Sequence, residues 1–142
     1  MATLNAAISA SATALSVQRT RIEVAVSNMA NAESTRGANG QPYRRRNVLL
    51  APQPVAGFDE QLGNLQATGV QVTAITEDQS PFRRHFDPQH PDADADGFVS
   101  LPNVDTPEEM VDMMGASRAY QANLAAIGMI RDLVNKSLDL GK

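Results

Sequence analysis

The sequence predicts a mainly α protein in which long N- and C-terminal helices form a coiled-coil-like pair and a small β-rich segment lies between them. Three observations predict it. The opening segment, about Thr3 to Asn31, has neither Gly nor Pro and repeats large apolar residues every seven positions. The closing segment repeats them at the same interval. Residues 41–104 carry seven of the eight prolines and alternate with a period of two instead.

The first helix is expected to run for about 28 residues, or ~42 Å. Ile8, Leu15, Ile22 and Met29 form one strong heptad row, while Leu4, Ser11, Gln18 and Ala25 fill the alternating row with mostly small or polar groups. Asn28 and Asn31 close the helix, because Asn tolerates the left-handed conformation that ends helices. Glu33 to Gly40 then reads as a loop.

The last helix starts at Thr106 or Pro107. Asp105 or Thr106 is the N-cap, Pro107 lies in the first turn, and Glu108 and Glu109 sit at the positive end of the dipole. Apolar positions follow at Met110, Met113, Tyr120, Leu124, Ile127, Val134 and Leu138, until Gly141 stops a helix of about 33 residues, or ~50 Å. Gly115 and Gly128 each cost about 1 kcal/mol relative to Ala in a helix interior, so they are read as points of close helix contact.

Between the helices, Arg44 to Leu50 reads as a strand, and Gly69 to Thr76 as a second with Val70, Val72 and Ala74 on one face. Phe82 to Phe86 and Gly97 to Leu101 are shorter strands. The turn signals Pro52 to Pro54, Gly63, Ser80 with Pro81, and Pro88 to Gly97 leave little room for a large sheet. Residues 1–32 and 106–142 are therefore expected to form a discontinuous helical assembly domain, with residues 33–105 as a loop and small β-rich domain.

Composition shows why the helices need partners. Leu, Ile, Val and Phe make up 31 of 142 residues, about 22%, close to the level of ~20% at which a private core fails. Another 21 are Ala, which favours helix but buries little area. No apolar run approaches the ~20 residues of a membrane span, and the N-terminus lacks the basic start of a secretory signal. With no Cys and only His85 and His90, there is no disulfide framework, thiolate nucleophile or Cys-based zinc site.

The most motif-like string is Asp92, Asp94, Asp96 and Gly97, which matches the start of an EF-hand loop, with Val99 and Ser100 also in place. The twelfth position is Asn103 rather than Glu, and Pro91 and Pro102 flank the string, so it reads as an acidic turn and only a weak candidate for a cation. Arg44, Arg45 and Arg46 with Arg83, Arg84 and His85 form a basic cluster. A net charge of -4 and the lack of interleaved aromatics argue against nucleic acid, and the arginines are expected to pair with carboxylates such as Asp92 to Asp96. There is no G-x-S-x-G elbow, phosphate-binding glycine loop or H-E-x-x-H, so no enzyme and no cofactor is expected.

Two strings carry a resemblance. Ser27-Asn28-Met29-Ala30-Asn31-Ala32-Glu33-Ser34 is similar to the signature near the amino terminus of bacterial flagellar axial proteins, with Met29 where Leu is usual. Ala119-Tyr120-Gln121-Ala122-Asn123 resembles their carboxy-terminal signature. Gly40 to Arg44, Pro91 to Gly97, Leu101 to Asp105 and Leu138 to Gly141 resemble a proximal-rod subunit within that superfamily, while Ala51 to Leu65 matches little. The resemblance implies a structural, non-enzymatic rod subunit of the basal body that transmits torque from motor to hook. It also implies export by the flagellar type III apparatus and assembly in the periplasmic space with other rod subunits and with copies of itself in a helical tube. On that reading Ile8, Leu15, Ile22 and Met29 pack with Met113, Tyr120, Ile127 and Val134, and Asn28, Asn31, Gln121 and Asn123 are assembly residues. The alternatives are another flagellar rod subunit or a calcium-binding helical adaptor.

Overall fold

The computed structural model describes residues 2–37, 39–54 and 68–139, and the side chains from residue 6 onward. Its elements are α1 (Ala2–Ala30), β1 (Arg46–Pro54), β2 (Thr68–Glu77), β3 (Arg83–Phe86), β4 (Phe98–Leu101) and α2 (Thr106–Asp139). Two helices thus enclose two small antiparallel hairpins, β1-β2 and β3-β4. The Leu4 side chain, Gly63 and Gly141, together with most of the Ala51 to Leu65 stretch, lie outside what is described.

Local chemistry accounts for the helix ends. Asp105 caps α2: its carboxylate accepts from the Glu108 N–H at 3.3 Å and its carbonyl accepts the first helical bond from the Glu109 N–H at 3.0 Å. At the end of α1 the Asn31 side chain donates to the Ser27 carbonyl at 2.8 Å, filling an acceptor that the ending helix leaves open. Because Asn28, near the end of α1, bonds Glu109 in the first turn of α2, the two helices run antiparallel and pack along each other.

The β1-β2 hairpin lies along α1. Asn28 holds Arg46 at the start of β1, and the Val70 N–H donates to the Thr13 hydroxyl at 3.2 Å. From Asn28 to Thr13 the helix rises ~22 Å and from Arg46 to Pro52, the partner of Val70, a strand rises ~20 Å, so the axes are nearly parallel. The outward Val70 N–H marks its pair with Pro52 as one whose backbone groups face away from the ladder. Pro52 and Pro54 therefore stand on the open edge of β1, where their missing N–H groups are tolerated.

The second strand departs from the expected alternation. Leu49 pairs with Ala74 and Leu50 with Val72, so Thr73 is an extra residue, and its hydroxyl donates to the Leu49 carbonyl at 3.1 Å. Val70 and Val72 are half-buried, but Ala74, beyond the bulge, is exposed. In the smaller hairpin Phe86 meets Phe98 edge to face at 5.2 Å. Gly97, at φ 80°, makes the turn before β4 in the left-handed region that favours glycine.

Among the described residues the buried set is small: Val17, Ala25, Ala32, Gly69, Val99, Pro102, Val104 and Ala116, with Asn28 and Glu109 as buried polar groups. Among the described residues twelve large apolar side chains are at least 45% exposed, seven of them on α2. A single copy leaves much of its apolar surface in water.

Candidate assembly interface

A polar knot fixes the register of the helices. The Asn28 side chain is 1% exposed, and its carbonyl oxygen accepts from the Tyr43 hydroxyl at 2.8 Å and from the Arg46 N–H at 3.0 Å. Its amide nitrogen donates to the Arg46 carbonyl and to Glu109 Oε2, each at 2.9 Å. All its hydrogen-bonding capacity is thus used within one chain. Glu109, itself buried, receives Arg45 Nε on its other oxygen at 2.5 Å. The knot is continued by Asn103, which accepts from the Arg45 N–H at 2.9 Å and donates to the Ser80 hydroxyl at 2.7 Å.

Electrostatics follow this geometry. Burial is the largest influence on Arg45 and works against its charge. Hydrogen bonding to Glu109 and the charges of Glu109, Glu108 and Asp112 together outweigh it, so the guanidinium pKa is raised. A buried ion pair adds little net stability against apolar replacements, but an incomplete one is heavily penalised, so losing one member of the knot costs more than the knot contributes.

Along α2 the enclosed positions follow a heptad. Glu109, Met113, Ala116, Tyr120, Asn123, Ile127, Ile130 and Val134 are buried or half-buried and lie alternately four and three residues apart. On α1, Ile8, Leu15, Ile22 and Met29 are all half-buried, while Ser9, Ala12, Ser16, Arg19, Glu23, Val26 and Ala30 form an exposed row. The Asn123 side chain turns back onto its own helix, donating to the Ala119 carbonyl at 2.9 Å, as Asn31 does to Ser27. Gln121 is exposed.

The large apolar groups open to solvent on α2 are instead Met110, Val111, Met114, Leu124, Met129, Leu133 and Leu138. Four of these, Val111, Met114, Met129 and Leu133, were not singled out by the sequence, where Met110, Leu124 and Leu138 could not be told apart from the inward row. Their signal is the excess of apolar residues over what one heptad row requires. Gly115 and Gly128 also differ from expectation: a methyl group added at either would meet nothing within 4 Å in the chain. The helix contact expected there is not made inside one copy.

The acidic turn uses its carboxylates locally. Asp92 accepts from the Thr35 hydroxyl at 2.7 Å and pairs with Arg36 at 2.6 Å. Asp94 accepts from the Phe98 and Asp96 N–H groups and pairs with Arg84 at 2.8 Å; the Phe98 bond is the main reason its pKa is lowered. Among the described residues no three His, Cys, Asp or Glu side chains come together in a way that could hold a metal ion. The arginines are likewise engaged: Arg44 and Arg84 each stand 4.4 Å from a ring centre, over Phe82 and Phe98. His85 and His90 line a shallow cavity with Glu33 and Asp87, and His90 Nδ1 accepts from the Asp92 N–H at 3.1 Å. No helix of the described residues is long and apolar enough to cross a membrane.

Comparison with known proteins supplies the context. Residues 95–140 match the family described as flagellar basal body rod FlgEFG protein C-terminal. The flagellar basal-body rod protein FlgC of Salmonella typhimurium is 42% identical over 130 residues, 91% of each chain. That of Bacillus subtilis is 40% identical over 145 residues, 95% of this chain and 96% of the relative. The Agrobacterium fabrum protein of the same name is 38% identical over 142 residues, 98% of this chain and 96% of its own.

Proposed function

The chain belongs to the FlgC family of flagellar basal-body rod proteins, and from that premise we propose that it assembles into the proximal rod by packing its helices against those of neighbouring subunits. It is a structural subunit of the basal-body rod. The single observation that carries the assembly reading is the apolar surface of α2 that its own chain leaves open, from Met110 to Leu138.

Within each copy, Ile8, Leu15, Ile22 and Met29 form with Met113, Tyr120, Ile127 and Val134 the coiled-coil-like seam of an antiparallel pair. Their shared half-burial supports this pairing. Residues 1–32 and 106–142 act as the assembly unit and residues 33–105 as its outer part. Asn28 serves assembly indirectly, by setting the helix register, whereas Gln121 is placed to meet a neighbour. Asn31 and Asn123 sit where helix surfaces meet but satisfy their own backbone first.

A chain without cysteine and with a small private core suits unfolded export through the type III apparatus and folding where partners complete the burial in the periplasmic space. Contacts that repeat head to tail without closing build a shaft able to transmit torque. No catalytic step is part of this reading. The test is a strain lacking the gene, complemented with the wild-type chain or with Ile22→Asp or Ile127→Asp. Wild type should restore motility and appear in purified basal bodies, and both variants, which bury an unpaired charge, should not. Normal motility in the variants would overturn the seam.

A further inference from the structure

The turn between α1 and β1 carries a reactive pair that the rod reading does not use. Asn39 is followed by Gly40, and none of the other eight asparagines precedes a glycine. Both residues are exposed, and a Cβ added at Gly40 would meet nothing within 4 Å, so the turn is open to water. Gly40 stands at φ 77°, so the turn itself requires a glycine there, and its reactivity is the consequence. The turn also sets the asparagine side chain. Its Oδ1 accepts from the Gln41 N–H at 3.1 Å, closing an Asx turn whose ring contains the Gly40 nitrogen. The side-chain carbonyl carbon is thereby folded toward that nitrogen, and the hydrogen bond polarises it for attack. The Gly40 N–H donates to the Gly37 carbonyl at 3.0 Å, but an N–H lies in the peptide plane, and this bond leaves the face of the nitrogen open.

We infer that Asn39 is a site of spontaneous deamidation, a modification that needs only water. The Gly40 nitrogen loses its proton and attacks the Asn39 side-chain carbonyl carbon. A C–N bond forms, the bond to the side-chain nitrogen breaks, and that nitrogen takes up the proton and leaves as ammonia. Water then opens the five-membered imide at one of its two carbonyls, leaving aspartate or isoaspartate in place of Asn39. The comparable acidic pair is shielded. Asp96 precedes Gly97, but an ionised carboxylate is a poor electrophile, and atoms of Phe86 and Pro88 stand 3.1 Å from where a Gly97 Cβ would lie. The two products of Asn39 differ in fate. Asn39 lines a cavity of about 370 Å³ with Arg36, Arg44, Arg46 and Glu77, so the new carboxylate enters a setting richer in cations than anions. Aspartate also keeps the acceptor for Gln41. Isoaspartate adds one carbon to the main chain between Gly37 and Gln41, where the Gly37 N–H donates to the Gln41 carbonyl at 2.7 Å, and it opens that closure.

The test uses the purified full chain, incubated at neutral and mildly alkaline pH and then digested for peptide mass mapping, with isoaspartyl methyltransferase as the probe for isoaspartate. Asn39 should convert ahead of every other asparagine, and faster at the higher pH, because the attacking nitrogen must first lose its proton. Gly40→Ala should slow conversion about tenfold or more, equivalent to ~1.4 kcal/mol in the barrier, because a methyl beside the nitrogen hinders its attack. Asn39→Gln, whose carbonyl is one carbon further away, should show none. Gly40→Ala also strains the backbone at φ 77°, so the same chain in urea provides the independent arm. Conversion in the folded chain at least as fast as in urea supports the inference, and slower conversion overturns it. Equal rates in Gly40→Ala and wild type, or earlier conversion at another asparagine, would overturn it too. Asn39→Asp should melt no lower than wild type, and aged protein rich in isoaspartate should melt lower; the reverse order would overturn the fates assigned to the products.

Discussion

Removing the Asn28 amide should destabilise the isolated chain by about 3 to 5 kcal/mol. The magnitude follows from four hydrogen bonds. Three join neutral groups and are worth ~1 kcal/mol each, and the one to the Glu109 carboxylate ~2. In Asn28→Ala all four bonds are lost, and the Ser27 hydroxyl beside Tyr43, Arg45 beside Glu109 and water entering the space left by the amide bring the sum below its upper limit. That is a large share of the ~5–15 kcal/mol that holds a domain together. Asn28→Asp is the sharper probe. It keeps the acceptor for Tyr43 and Arg46 but puts a carboxylate against Glu109 Oε2 at about 3 Å, a repulsion of ~5 kcal/mol at an effective dielectric of 20, partly offset by Arg45.

The sign with pH is definite. Repulsion raises the folded-state pKa of the carboxylate pair above its unfolded value near 4, so the penalty is full at neutral pH and is relieved as pH falls through that raised value. Urea unfolding followed by far-ultraviolet circular dichroism at pH 7 and pH 5 measures both variants. Asn28→Asp should regain stability relative to wild type at pH 5, and Asn28→Ala should not. A loss under 1 kcal/mol for Asn28→Ala, or the same pH response in both variants, would refute the idea that this knot fixes the helix register.

Other consequences are checked more simply. Gly97→Ala should cost at least ~1 to 2 kcal/mol, since φ is 80° and the new methyl would lie 3.1 Å from Phe86 and Pro88; unchanged chemical denaturation would contradict this. Thr13→Val removes the acceptor for Val70 N–H and should speed hydrogen exchange at Val70 while leaving the α2 amides protected. The lowered pKa of Asp94 contributes stability above the ordinary carboxylate range, which is lost as pH falls through the folded value. Asp94→Asn should therefore flatten the Tm profile below about pH 4 relative to wild type.

Most of the architecture was legible because the helices announce themselves through Gly- and Pro-free spacing, a proline-bearing start at Pro107 and an Asp105 cap. The strands were found within a few residues, but the bulge at Thr73 was not, since an inserted residue leaves no mark when its neighbours are as small as Thr and Ala. The interface was harder to read. A heptad of apolar residues tells which positions avoid water, not whether the same chain or another covers them. Met113 shares its row with Tyr120, Ile127 and Val134 and is half-buried, while its neighbour Met114, off that row, is exposed. Asn28 was read as a helix-closing and assembly residue, and its buried role was not legible because its partners Tyr43, Arg46 and Glu109 are distant in sequence. The acidic string was read as a turn with only weak promise for a cation, and its spacing could not reveal that Arg36, Arg84 and two backbone N–H groups bond its carboxylates.

The edges of the β1-β2 hairpin have a meaning for many copies held side by side. One edge is met by Thr13 of α1, and the other carries Pro52 and Pro54 where an incoming strand would look for donors. Crowded copies therefore find no backbone template on this hairpin along which to stack as continuous β structure. The prolines guard this edge against the fibre that the same local concentration would otherwise favour.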